Sequence, residues 1–440
     1  MRRVTWTVVA AGVAVGLGGC KREDGVGDDA GVDPVDGIDP AGDDDDQGDD
    51  DDGTTPPPRD PTTSFAADAT SFDVPDLDLG GTGPYSIAGT AYYLGAWSTF
   101  DIDGDGLPDL VHTADPDGEL HVLGGPSDPH WDVYRNKGGK FSGTATRWAV
   151  PALELGGTGL FATGGAAYFN GAWSTFDLDG DGLPDLVHTA DPDGDLHVLG
   201  APADIRWDVY RNTGDGFAAD PIRWAVPELA LGGTGLYATF GAAYYTGAWS
   251  TLDVDADGLP DLIHTADAGG DLHVLGAPDD VRWDVYRNRG DGFAASATRW
   301  AVPELPLGGT GLYATGGGAY YTGAWSTFDL DGDGFVDLVH TADAAGDLHA
   351  LGAPDDIRWD VYLGDGGGFD SAATRWAVPE LSLGGTGLYA TFGAAYYTGA
   401  WATIDIDADG LPDLVHTADP GPTLEVLGYP DAAWDVYLGE

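Results

Sequence analysis

The sequence predicts an all-β protein: a five-bladed β-propeller of 76-residue repeats, closed by strand exchange between its N- and C-terminal ends and preceded by a disordered acidic linker. Three observations carry this expectation. The text Asp-x-Asp-x-Asp-Gly begins at Asp101, Asp177, Asp253, Asp329 and Asp405, each 76 residues from the last, and a fixed period of that length marks a solenoid, a propeller or an array. Apolar and aromatic residues come in short runs between Gly, Asp and Pro turns, and no stretch of the repeats has a 3.6-residue apolar period. The acid is of the wrong kind for helices: 66 of the 74 acidic residues are Asp and eight are Glu, and Asp favours turns and oxygen-ligand loops where Glu favours helices.

Residues 1–20 carry Arg2 and Arg3 ahead of a mostly apolar run that is too short and Gly-rich for a comfortable membrane span. The run ends in Leu17-Gly18-Gly19-Cys20, and Cys20 is the only cysteine of the 440 residues. This resembles a bacterial lipobox, which implies a signal peptide over 1–20 and lipidation of Cys20. Lys21, not Asp, follows, and by the same resemblance the expected destination is the outer membrane, at its periplasmic or cell-surface face. Residues 21–63 hold 16 acids and no aromatic residue. Such a segment has too little apolar surface to fold, and its self-repulsion extends it into a tether.

Residues 64–440 are the repeats. In the second unit Trp173-Ser174-Thr175-Phe176, Asp185-Leu186-Val187-His188-Thr189, Leu196-His197-Val198-Leu199, Trp207-Asp208-Val209-Tyr210 and Arg223-Trp224-Ala225-Val226 read as short strands, the last stopped by Pro227. Four or more such strands per unit suit a propeller blade. The register of the ends decides the closure. Phe65, Phe141, Phe217, Phe293 and Phe369 also keep the 76-residue spacing, so residues 65–75 are a copy of the segment at 293–303. The last unit ends at Trp434-Asp435-Val436-Tyr437-Leu438-Gly439-Glu440 without its final strand, and the N-terminal copy supplies one. A closed ring uses this arrangement to remove its edge strands; an open solenoid has no use for it.

The Asp motif carries chemistry. Each unit places acids at positions 1, 3, 5 and 9 of a loop, a turn-permitting Gly at 6 and a backbone carbonyl at 7. The candidate ligands are Asp101, Asp103, Asp105, Leu107 and Asp109; Asp177, Asp179, Asp181, Leu183 and Asp185; Asp253, Asp255, Asp257, Leu259 and Asp261; Asp329, Asp331, Asp333, Phe335 and Asp337; Asp405, Asp407, Asp409, Leu411 and Asp413. Hard oxygen donors on a tight loop suit Ca²⁺, and four carboxylates so close repel one another without a cation. About five Ca²⁺ are expected, one per unit. The EF-hand Glu at position 12 is missing and no helix flanks the loop, so these are not EF-hands.

The motif, with Leu-Pro-Asp-Leu after it and Val-Tyr-Arg-Asn-Thr-Gly-Asp-Gly-Phe further on, resembles FG-GAP/VCBS repeats, the calcium-binding blades of the integrin α-subunit head. The resemblance covers residues 65–440 and implies calcium at the five Asp sets. The units are longer than usual and five is fewer than integrin's seven, so integrin-like partner binding does not follow.

Other constellations point less far. A formal charge of −56 argues against nucleic acid and anionic membrane surfaces as partners, and one cysteine excludes a disulfide framework and a Cys-based zinc site. His112, His188, His264, His340 and His416 recur, as do His121, His197, His273 and His349, but the fifth unit has Glu425 in the second place, and structural histidines at strand ends are expected rather than zinc ligands. The Gly-Gly-Thr-Gly segments precede aromatic text such as 236–245, which either packs between blades or stacks on sugars. Trp173, Trp207 and Trp224 are expected in the core. Near-identical repeats bring no unique acid pair together, and catalysis needs unlike groups placed once. The reading is a monomeric, cell-surface-anchored calcium-binding propeller acting as a binding or adhesion module for an unidentified protein or glycan, touching the membrane only through its lipid; a multivalent lectin and a glycan-cleaving propeller enzyme are the alternatives.

Overall fold

The computed structural model describes residues 64–75, 97–113, 130–151, 173–189, 206–227, 249–264, 282–303, 325–340, 358–379, 401–416 and 433–440. The signal segment with Cys20, the linker, the run Leu196–Leu199, His121, His197, His273, His349, Glu425 and the aromatic Gly-rich loops lie outside these residues.

Among the described residues the first strand is β1 (Thr70–Asp73). Four blades follow, each a sequential antiparallel sheet: β2 (Trp97–Phe100), β3 (Asp109–His112), β4 (Trp131–Tyr134) and β5 (Thr146–Trp148); β6 (Trp173–Phe176), β7 (Asp185–His188), β8 (Trp207–Tyr210) and β9 (Ile222–Trp224); β10 (Trp249–Leu252), β11 (Asp261–His264), β12 (Trp283–Tyr286) and β13 (Thr298–Trp300); β14 (Trp325–Phe328), β15 (Asp337–His340), β16 (Trp359–Tyr362) and β17 (Thr374–Trp376). The fifth blade has β18 (Trp401–Ile404), β19 (Asp413–His416) and β20 (Ala433–Tyr437), and its fourth strand is β1.

Burial follows from what each strand carries. The second and third strands, Asp-Leu-Val-His and Trp-Asp-Val-Tyr in the second blade, are buried along their whole length, as strands covered on both faces must be. The fourth strand is exposed at its start and buried at its Trp. Trp173, Trp207 and Trp224 all lie in the core as expected. So does His188, whose ring centroid is 4.5 Å from that of Trp173, the place of a packed structural histidine.

The blades form a ring because each one grips the next in the same way. The ring of Trp131 meets Phe217 of the second blade edge-on at 5.1 Å. Trp207 and Phe293, Trp283 and Phe369, and Trp434 and Phe141 repeat this at 5.1 Å, and Trp359 meets Phe65 at 5.2 Å. Five contacts joining five blades in one cycle leave no open end. Such aromatic pairs contribute about 0.5–1.5 kcal/mol each beyond the area they bury. Beside each wedge the Phe N–H donates to the neighbouring blade, as from Phe217 to the Ala149 carbonyl at 2.8 Å and from Phe293 to the Ala225 carbonyl at 2.8 Å.

The closure is the predicted strand exchange. Thr70, Ser71, Phe72 and Asp73 pair antiparallel with Val436, Asp435, Trp434 and Ala433. Ala66 N–H donates to the Leu438 carbonyl at 2.7 Å and Glu440 N–H to the Ser64 carbonyl at 2.8 Å. Phe65 is thus the wedge between the fourth and fifth blades, the role its 76-residue spacing assigns it.

Candidate metal centre

The site is the loop between the first and second strands of each blade. Pairing of Phe176 with Asp185 brings the two ends of the loop side by side. Position 1 then ties the loop from inside: Asp177 Oδ1 accepts from Gly180 N–H at 2.9 Å and Asp181 N–H at 3.1 Å, and its Oδ2 accepts from Gly182 N–H at 2.8 Å. Gly182 holds φ at 87°, a left-handed turn that lets this N–H point inward. Position 5 braces the exit, Asp181 Oδ1 accepting from Leu183 N–H at 2.9 Å. Position 9 is anchored from another strand. The pairing of Leu186 with Tyr210 sets Asn212 beside Asp185, and Asn212 N–H donates to Asp185 Oδ1 at 2.9 Å. The corresponding bond recurs from Asn136, Asn288, Gly364 and Gly439 to Asp109, Asp261, Asp337 and Asp413, at 2.7–2.9 Å.

The sequence expects four acids per loop to converge, and the structure brings them together three at a time. In each blade three of the four acids bring one oxygen apiece within 4.8 Å of the others: Asp101, Asp103 and Asp109; Asp177, Asp179 and Asp181; Asp253, Asp255 and Asp257; Asp329, Asp331 and Asp333; Asp405, Asp407 and Asp413. The fourth acid of each set stands outside this tightest group. Burial first, and then the field of other loop carboxylates, raises the proton affinity of Asp185, Asp261 and Asp337. The position-7 residues have a second task. Leu183 Cδ2 packs so close to the first blade's loop that a Cβ on Gly104 would lie 2.8 Å from it, and Leu259 and Leu411 close on Gly180 and Gly332 in the same way. In these three pairs of neighbouring blades the loops therefore interlock.

Burial dominates the electrostatics. It pushes the carboxyls of Asp109, Asp185, Asp261 and Asp413 up to about 7, against the pull of the backbone N–H that each accepts and with the help of other loop carboxylates for all four. Asp337 rises well above the usual carboxylate range for the same reasons. Asp329 is raised to about 6, and Asp101, Asp177, Asp253 and Asp405 are raised too, first by burial. Carboxylates held this way are protonated or matched by a cation.

The donor set fits a hard divalent cation. Oxygen ligands from acids at alternate positions are what Ca²⁺ takes. In the second blade Asp179 Oδ1 is buried without a hydrogen-bond partner, on a side chain only 9% exposed. Buried acceptors left this way cost about 1–3 kcal/mol each unless something fills them.

Two kinds of residue at the site are absent from the sequence expectation. Arg135, Arg211 and Arg287 follow the third strand of the first three blades and turn onto position 3 of the loop, pairing with Asp103, Asp179 and Asp255. Arg287 Nη1 lies 2.7 Å from both Asp255 and Asp261, and Arg135 Nη1 also lies 3.3 Å from Asp109. The neighbouring asparagines staple blades together. Asn212 Nδ2 donates to the Pro184 carbonyl of its own loop at 3.1 Å and to the Ile102 carbonyl of the preceding loop at 2.9 Å. Asn136 and Asn288 do the same toward Ile406 and Leu178. The signal for both was in the text: Val-Tyr-Arg-Asn in the first three units and Val-Tyr-Leu-Gly in the last two.

No family model matches the chain. Among solved structures it is similar to the Tc holotoxin pore of Photorhabdus luminescens at 15% identity and a TM-score of 0.35, covering 86% of this chain and 15% of that one. An exotype rhamnogalacturonan lyase is 15% identical with a TM-score of 0.25, covering 79% and 48% of the two chains. The β-fructofuranosidase of Schwanniomyces occidentalis is 9% identical with a TM-score of 0.31, covering 86% and 59%. The chain spans about 15% of the length of the toxin chain it matches. Likenesses this distant carry no argument about activity.

Proposed function

We propose that this protein is an exported calcium-binding propeller of the FG-GAP/VCBS kind, acting as a binding or adhesion module at the cell surface. The observation that carries the calcium reading is the recurrence, once per blade, of three converging carboxylate oxygens on a loop, with a buried unpartnered oxygen on Asp179 in the second blade. Calcium at these positions would neutralise the buried carboxylates and fix the interlocked loops, so that the ring presents a rigid surface. Lipidation of Cys20 would anchor it, and the acidic segment 21–63 would hold it off the membrane. The partner is a protein or a glycan; nucleic acid is disfavoured by the charge of −56.

Two experiments test this. Calorimetry on the chelator-treated protein should show calcium binding, with a thermal shift that magnesium reproduces poorly; no binding and no shift would refute the metal reading. A glycan array and a cell-binding assay, each with calcium and with chelator, should then return a calcium-dependent ligand. Glycan hits without turnover would select the lectin alternative, and turnover of a hit would overturn the binding-module reading in favour of an enzyme.

A further inference from the structure

The five loops carry the same acids but not the same surroundings. In the first three blades a guanidinium reaches the loop: Arg135 onto Asp103 and Asp109, Arg211 onto Asp179, Arg287 onto Asp255 and Asp261. In the last two blades this position is Leu363 or Leu438. The position-9 carboxylate of the first and third blades registers the difference. Its Oδ2 takes Arg135 or Arg287 in the first and third blades, whereas in the fourth and fifth it accepts a backbone N–H, from Leu330 to Asp337 and from Ile406 to Asp413, both at 3.0 Å.

Resting on the calcium reading above, we infer that the loops form two classes of divalent-cation site. The fourth and fifth blades hold the tight sites, and the first three hold weak sites already part-neutralised by a resident arginine. The argument is electrostatic and steric. A guanidinium stays charged at every working pH and presents its N–H fork to carboxylates. Where it sits on position 3, it spends a ligand that a cation needs and adds a positive charge a few ångströms from the cation. A binding ion must displace it or share the carboxylates with it. Displacement is open to it, since the Arg211 side chain is 42% exposed and has solvent to move into. The second blade shows that such a loop still holds room for an ion, because Asp179 Oδ1 remains buried and unpartnered while its other oxygen pairs with Arg211. The arginine weakens these sites without abolishing them. One unit charge at that range weakens a divalent cation by at least about 10-fold, even at the dielectric of water.

The consequence is an uneven ring. At low calcium the fourth and fifth blades load first while the other three are held by their arginines; at high calcium all five load.

The test uses the full-length protein, stripped with chelator and titrated with Ca²⁺ by calorimetry, with Tb³⁺ luminescence as a second readout. Two ions should bind at least about 10-fold more tightly than the remaining three. Leu363→Arg should cost one tight site, while Leu363→Gln, which changes the polarity without the charge, should keep it. Arg287→Gln should convert one weak site to a tight one, and this carries the test alone if the Leu363 variants do not fold. Five equivalent sites in the wild type, or a tight-to-weak ratio unmoved by Arg287→Gln, would overturn the two-class assignment and leave the calcium reading standing. No calcium binding at all would overturn both.

Discussion

Calcium should displace protons from this ring, in numbers that the structure sets. Asp109, Asp185, Asp261 and Asp413 sit at about 7 in the folded, ion-free protein, against about 3.9 for an Asp in an unfolded chain. A group raised to about 7 is about nine-tenths protonated at pH 6 and about one-tenth at pH 8. Calcium takes the ionised form, so binding should release about 0.9 proton per site at pH 6 and about 0.1 at pH 8 from these groups. The position-1 acids, also raised by burial, add to the release at low pH. The same shift fixes how stability runs with pH. Between about pH 4 and pH 7 the folded state keeps a proton that the unfolded state has lost. The ion-free protein is therefore most favoured at the acid end of that window and loses stability as pH rises through it, by about 4 kcal/mol per group before relaxation. Calcium reverses the trend by rewarding ionisation. Titration calorimetry in two buffers of different ionisation enthalpy, at pH 6 and pH 8, counts the protons, and thermal melts of the stripped protein from pH 5 to pH 8 follow the stability. Equal proton release at both pH values, or an ion-free melting temperature that climbs from pH 5 to pH 8, would show that the position-9 acids are not held as described.

Three further outcomes are expected. Asn212→Ala removes the donor to the Ile102 and Pro184 carbonyls, and a urea melt should show a loss of about 1–3 kcal/mol. Deleting residues 64–75 takes away β1 and the Phe65 wedge together; the fifth blade is left with an open edge, and light scattering should report aggregation or calorimetry a large fall in melting temperature. Ser71→Arg would face Asp435 in the register where Arg375 Nε meets Asp360 at 3.0 Å; a cross-strand pair there should raise stability by up to about 1 kcal/mol, read as a shift in the urea midpoint.

The repeat period and its register were enough to determine the five-bladed ring, because identical units that each leave an apolar face uncovered can satisfy it only by stacking on copies of themselves. The same register announced the closure, since Phe65 stands one period before Phe141. The acidic clusters were legible for a different reason. In the second blade the acids at positions 1, 3 and 5 are brought together by their own turn, with Asp177 gathering the N–H groups of Gly180, Asp181 and Gly182, so local geometry decides that cluster. What surrounds that cluster is not local. Arg287 reaches Asp261 across 26 residues and Asn212 reaches Ile102 across 110, and neither meeting has a turn to enforce it. The strand register decides the first, by pairing Leu262 with Tyr286, and the stacking of one blade on the next decides the second. The sequence states that Arg-Asn becomes Leu-Gly in the last two units; only packing reveals that the exchanged residues lie on the acids of the loop and on the seam between blades, where a charge or a donor changes how tightly each site would hold its ion.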